Sequence, residues 1–145
     1  MYKNILIPTD GSELAEKAVN HGIALAKTVG AKIVVLTVYE PYRIVTVDPL
    51  MVEYTPEEYK KMAEKNGRKI VSNAADMAQG VGVPCETVVM EHDRIYQAIV
   101  DTAASKGCDL ITMASHGRRG VTAMLIGSVT LKVLTHTSIP VLVHR

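Results

Sequence analysis

Short apolar runs rich in β-branched residues recur along the chain, each followed by a segment whose apolar residues return every three or four positions. This alternation restricts the fold more than any other feature. The runs are Ile5-Leu6-Ile7, ended by Pro8; Lys32 to Tyr39; Glu86 to Met90, following Pro84; Asp109 to Ala114, following Gly107; and Val141-Leu142-Val143, following Pro140. They stay apolar instead of alternating with polar residues. That pattern predicts strands buried on both faces, as in a parallel sheet covered by helices.

The intervening segments read as helices. After Ser12, Ala15, Ala18, Val19, Gly22, Leu25, Ala26 and Val29 form one face, and Gly30 supplies a stop. Thr55-Pro56-Glu57-Glu58 is a start signal: Thr55 caps, Pro56 fits the first helical position and Glu58 completes a capping box. Tyr59, Met62, Ala63, Asn66, Ile70, Ala74 and Met77 then carry the inner face toward Gly80. Asp93 is the expected cap of a third helix, with Ile95, Ala98, Ile99, Thr102 and Ala103 inward and Gly107 as its stop. Ser128 opens a fourth, with Leu131, Val133 and Leu134 available for packing. The order β-α-β-α-β-α-β-α-β predicts an α/β fold: a five-stranded, mainly parallel sheet with helices on both faces. Right-handed crossovers limit its topologies without giving the strand order. At 145 residues, positions 1–145 are expected to form a single domain. The segment from Glu40 to Tyr54 is too long for a tight connection and reads as a mobile surface loop or lid.

Composition removes several function classes. Sixteen Lys and Arg stand against fifteen Asp and Glu, a net charge of +1, which argues against a nucleic-acid binder working through clustered basic side chains. Phe and Trp are absent, so the core is aliphatic and a base-stacking platform is not expected. The stretches without charge, Gly120 to Leu131 and Val133 to His144, fall short of the roughly 18–20 residues that span a bilayer. The opening Met-Tyr-Lys-Asn-Ile-Leu-Ile-Pro lacks the apolar core of a signal peptide, and Cys85 and Cys108 show no metal-ligand spacing. The expectation is a cytoplasmic protein with core thiols, no membrane and no nucleic-acid partner.

Open α/β sheets bind ligands at the carboxyl ends of their strands, beside the point where strand order reverses. The first strand is followed by Pro8-Thr9-Asp10-Gly11-Ser12, and the fourth by Ala114-Ser115-His116-Gly117-Arg118-Arg119-Gly120, with Gly127-Ser128-Val129-Thr130 opening the last helix. The second group has the parts of a phosphate site. Gly117 and Gly127 let backbone N–H groups approach an anion. Gly127-Ser128 at a helix N-terminus adds unpaired donors and a favourable dipole. The hydroxyls of Ser128 and Thr130 offer hydrogen bonds, and Arg118 and Arg119 offset phosphate charge. His116 either touches a phosphate or shapes the loop. No Gly-x-x-x-x-Gly-Lys-[Ser/Thr] P-loop, HExxH pattern or nucleophile elbow is present.

These residues carry a resemblance along essentially the full length of the chain. The spacing Ala114, two residues, Gly117, nine residues, Gly127-Ser128 resembles the Gly, two residues, Gly, nine residues, Gly-Ser/Thr motif that marks the ATP-binding branch of the universal stress proteins, with Ala114 in place of the first glycine. Ile5-Leu6-Ile7-Pro8-Thr9-Asp10-Gly11-Ser12 resembles that family's first strand and loop. The resemblance implies a Rossmann-like, adenine nucleotide alpha hydrolase-like sheet that binds ATP, with Mg²⁺ accompanying the nucleotide. It implies that Pro8, Thr9 and Asp10 meet adenine and ribose, and that Val38 lies on the adenine wall. Met113 and Ala114 would lie beneath the nucleotide, and Gly117, Gly127, Ser128, Val129 and Thr130 would cradle the phosphates. Arg118 and Arg119 lie in the nine-residue spacer and are an electrostatic inference only. Asp10 either accepts a ribose hydroxyl, coordinates Mg²⁺ or stabilises the N-terminus of the first helix.

The leading expectation is therefore a cytoplasmic, ATP-binding stress-response or regulatory protein. It would act as a nucleotide-dependent homodimer paired through its C-terminal strand, with a protein partner the sequence does not name. Two alternatives stand beside it. One is a slow Mg²⁺-dependent ATPase or phosphotransferase, for which no positioned base is evident. The other is a nucleotide-free member of the family that acts through protein contacts.

Overall fold

The computed structural model describes residues 1–43, 54–117 and 126–145. Five strands, β1 (Asn4–Pro8), β2 (Lys32–Tyr39), β3 (Cys85–Glu91), β4 (Leu110–Ala114) and β5 (Val141–His144), form one sheet in the order β3-β2-β1-β4-β5. Every neighbouring pair is parallel. Helices α1 (Glu13–Val29), α2 (Pro56–Gly80), α3 (Ile95–Ser105) and α4 (Ser128–His136) cover it. Among the described residues no helix is long and apolar enough to cross a membrane.

Alternate residues of the central strands feed two cores. Ile5, Ile7, Ile33 and Val35 pack with Val19 and Ile23 of α1 and with Val71 and Ala74 of α2. Leu6, Val34, Leu36 and Ile111 pack on the opposite face with Ile99 of α3 and Val133 of α4. Each fully buried aliphatic side chain of this kind contributes about 1.5–3 kcal/mol, so both helical layers are required to cover the sheet. The chain thus winds from β1 through α1 and α2 to one side, then crosses to β4 and continues to β5 on the other. The direction reverses between β1 and β4.

Most helix boundaries follow local chemistry. Ser12 caps α1 by accepting the Ala15 N–H at 3.3 Å, and α1 ends at Gly30. The Thr55 hydroxyl accepts the Glu58 N–H at 3.2 Å while the Glu58 carboxylate takes the Thr55 N–H at 3.1 Å, closing the expected capping box. Four expectations need correction. Asp93 does not cap α3; Arg94 is at the cap position without a side-chain bond, and its N–H donates to His92 Nδ1 at 2.9 Å. The buried face of α2 runs through Tyr59, Ala63, Gly67, Val71, Ala74 and Ala78, which leaves Asn66 and Met77 outside it. Leu131 and Leu134 of α4 are 54% and 39% exposed, because Thr130 and Val133 are the residues turned inward. The strands β3 and β5 are not buried on both faces; they are the sheet edges, and Cys85 at the start of β3 is only half-buried.

At the amino ends of β1 and β4, one carboxylate holds the two central strands side by side. Asp109 accepts the Lys3 N–H at 2.9 Å and the Asn4 N–H at 3.1 Å, and its own N–H donates to the Asn4 carbonyl at 2.9 Å. Burial pushes its pKa up, but the backbone donors and the N-terminal ammonium outweigh this and hold it below the ordinary 3.8. A carboxyl with a depressed native pKa contributes stability above the unfolded value, and that contribution is lost as pH falls through the native value. Asp109→Ala is expected to cost about 1 kcal/mol at neutral pH. Urea denaturation should show the gap from wild type closing as pH drops below the carboxylate range.

Candidate functional site

A cleft of about 760 Å³ opens at the carboxyl ends of β1, β2 and β4, where the strand order reverses. Pro8, Thr9, Asp10, Val38, Met113, Ala114, Gly117, Gly127, Ser128, Val129 and Thr130 all line it. The structure therefore gathers every expected site residue within its described part into one cavity. Arg118 and Arg119 lie outside the described residues, as do positions 44–53 of the expected loop.

Register creates one wall. The pairing of β2 with β1 ends at Pro8 opposite Leu36, whereas its pairing with β3 continues to Tyr39 opposite Glu91. The Leu36 carbonyl faces β1 and accepts the Thr9 N–H at 2.9 Å, and the Tyr39 carbonyl faces β3 and accepts the His92 N–H at 3.0 Å. Peptide groups alternate sides along a parallel strand. The Val38 N–H and C=O therefore face the β1 side, past the end of that strand, and give the cleft a donor and an acceptor side by side.

The opposite wall is the start of α4. Its first intrahelical bond runs from the Leu131 N–H to the Gly127 carbonyl at 3.0 Å, and among the described residues no side chain caps the helix. The Ser128, Val129 and Thr130 N–H groups thus precede the helical ladder and, with the helix dipole, present a positive end to the cleft. Gly127 makes this approach possible. Its N–H donates to the Ser115 carbonyl at 2.6 Å, and a Cβ there would stand 3.0 Å from that oxygen.

Asp10 joins the walls. One carboxylate oxygen accepts the Ser12 N–H at 2.9 Å, which secures the entry to α1. The other lies 2.5 Å from where a Cβ on Gly117 would sit, so the loops after β1 and β4 meet at the one residue type that leaves Asp10 in place. Helix-entry stabilisation, one of the three roles expected for Asp10, is thus a contact of the folded chain.

Two polar side chains serve the scaffold. The buried Thr130 hydroxyl donates to the Ala114 carbonyl at 2.9 Å, with the Ser115 carbonyl at 3.3 Å, which leaves it no proton for a phosphate in this arrangement. His116 Nδ1 pairs with the Ser115 hydroxyl at 2.9 Å, a loop-shaping contact, while its buried Nε2 has no partner among the described residues. Sequence reasoning missed the wall supplied by Tyr39, Met62, Ile70 and Ile95. Tyr39 donates to the Glu64 carboxylate at 3.2 Å; burial, followed by that carboxylate, pushes its pKa up to about 12. The phenol stays a neutral donor.

A parallel, doubly wound sheet with a glycine-lined helix start at its reversal point places the chain among the open α/β proteins, whose crevices lie at such a point. The family model of the universal stress protein family matches residues 1–145, and the chain belongs to that family. It is 32% identical over 149 residues to universal stress protein YxiE of Bacillus subtilis, with 100% of each chain covered. Its structure matches that of MJ0577 of Methanocaldococcus jannaschii with a TM-score of 0.79 at 33% identity, covering 99% of this chain and 95% of that one. It also matches a universal stress protein solved in complex with cAMP, with a TM-score of 0.72 at 25% identity and coverage of 99% and 97%.

Thr130 provides a direct test of how the cleft is held. Thr130→Val removes the hydroxyl from between two strand-end carbonyls and is expected to destabilise the fold by about 1–2 kcal/mol. Thr130→Ser should recover most of that loss in urea denaturation.

Proposed function

We propose that the chain binds an adenine nucleotide across the β1/β4 cleft and acts as a nucleotide-responsive regulatory protein of the stress-response type. The observation that carries this reading is the pairing of two backbone surfaces on opposite walls. The Val38 peptide offers an acceptor and a donor, which complement the amino group and adjacent ring nitrogen of adenine. The uncapped start of α4 offers N–H groups and a positive dipole to phosphate. The relative solved with cAMP supports the same ligand class.

ATP is the form we favour. Its phosphate chain would extend toward Gly117, Gly127 and Ser128, with Arg118 and Arg119 supplying charge from the spacer. Mg²⁺ is commonly held by one or two carboxylates together with substrate phosphates and water, so Asp10 suffices as its protein ligand. Bound there, Mg²⁺ would neutralise phosphate charge. We further propose that the protein works in the cytoplasm as a homodimer joined along β5. This strand ends the sheet, and its Leu142 is 42% exposed, a combination that invites edge pairing with a second copy.

Calorimetry with a nucleotide panel tests the reading. ATP is expected to bind one molecule per chain, with GTP at least about tenfold weaker because guanine reverses the donor and acceptor facing Val38. Asp10→Asn should weaken binding of ATP with Mg²⁺ more than binding of AMP. Absence of binding at millimolar ATP, or equal affinity for GTP, would overturn the assignment.

A further inference from the structure

Away from the cleft, two histidines distant in sequence meet on the face of the sheet that carries α1. His21 projects from α1 and His144 from β5, with their Nδ1 atoms 3.0 Å apart. The ring centroids are 4.8 Å apart and the planes are inclined by 50°. Behind them, His144 Nε2 lies 2.8 Å from the hydroxyl of Thr112, a residue of β4 with no exposed surface.

We propose that His21 and His144 form a two-imidazole site for a tetragonal divalent transition metal, above all Cu²⁺, which takes the place of the proton between the two Nδ1 atoms and staples α1 to the edge strand. Three features support it. The first is spacing. Two nitrogens each about 2.0 Å from one metal stand about 2.8 Å apart at a right angle and about 3.3 Å apart at the tetrahedral angle. The observed 3.0 Å lies close to the adjacent positions of the square arrangement that Cu²⁺ and Ni²⁺ prefer.

The second is orientation. When the Thr112 hydroxyl accepts the His144 Nε2–H, the lone pair of Nδ1 is directed at His21. Ligating imidazoles characteristically have an outer partner of this kind, which fixes the tautomer and ring plane. The third is the chemistry of the donors. The donor set is nitrogen alone, which suits Cu²⁺, Ni²⁺ and Zn²⁺ and not Mg²⁺ or Ca²⁺. His21 is exposed, so water can complete the coordination. The site is thus separate in place and in chemistry from the oxygen-lined position at Asp10.

The test is titration of the full chain with Cu²⁺, followed by electron paramagnetic resonance and thermal denaturation. The wild type is expected to take up one Cu²⁺ with coupling to two nitrogens, and to gain thermal stability on binding. His21→Asn, on an exposed helix position, should lower the affinity at least about tenfold, the low end of what losing even an outer partner costs. His144→Asn should do the same, and His136→Asn should leave the site intact. If His144→Asn fails to fold, His21→Asn still decides the matter. Unchanged affinity in His21→Asn, or no saturable Cu²⁺ site in the wild type, would overturn the proposal.

Discussion

Strands that are apolar on both sides must be covered on both sides, and the rest of this structure depends on that demand. Leu6 and Ile7 are adjacent in β1, yet one packs against α3 and α4 and the other against α1 and α2. A chain that always crosses over with the same hand can cover both faces only by reversing its direction of travel along the sheet. The reversal falls between β1 and β4, so the helices that follow them leave for opposite faces and a cleft opens at the strand ends, bridged where Asp10 meets Gly117. The cleft is therefore a by-product of covering the sheet. Asp109 holds the same two strands together at their other ends.

The polar groups that the cleft presents come largely from main chain, set beside an apolar wall that includes Met62, Ile70 and Ile95. Register exposes the Val38 peptide, the start of α4 has no side-chain cap among the described residues, and Gly117 and Gly127 leave room for Asp10 and for the Ser115 carbonyl. Several side chains that look functional have turned to bracing this frame: Thr130 bonds to the end of β4, and one oxygen of Asp10 secures α1. Ala114 fits the same account. Its carbonyl is the part of the residue that is engaged, so the methyl group that departs from the family's glycine leaves that contact unaltered.

Legibility in the sequence tracked the locality of the cause. The capping box at Thr55 and Glu58 and the stop at Gly30 depend on neighbours a few positions away, and both were readable. The residues gathered in the cleft were readable because they lie in the last residues of a strand, in the loop after it or at the start of the last helix, and carry the family's spacing. The edge position of β3 was hidden, because its run resembles those of the central strands and differs in strand order, which is nonlocal. The inner face of α2 was displaced for a related reason: Gly67 packs where a larger residue would strike Val89, so the face follows a glycine that hydrophobic periodicity does not count. The donor–acceptor character of Val38 was hidden too, since no side chain reports where a peptide group points.

A cleft wall made of peptide groups responds unevenly to changes in the sequence. Exchanging the side chain at Val38 changes the volume of a wall and leaves its hydrogen-bonding pattern in place. Insertion or deletion is another matter. One residue added to β2 before Val38 would direct the opposite face of the peptide chain at the cleft. One residue lost from the start of α4 would retract its leading N–H groups by about 1.5 Å and rotate them by about 100°. The geometry of the cleft is thus more tolerant of a change of side chain than of a change in length.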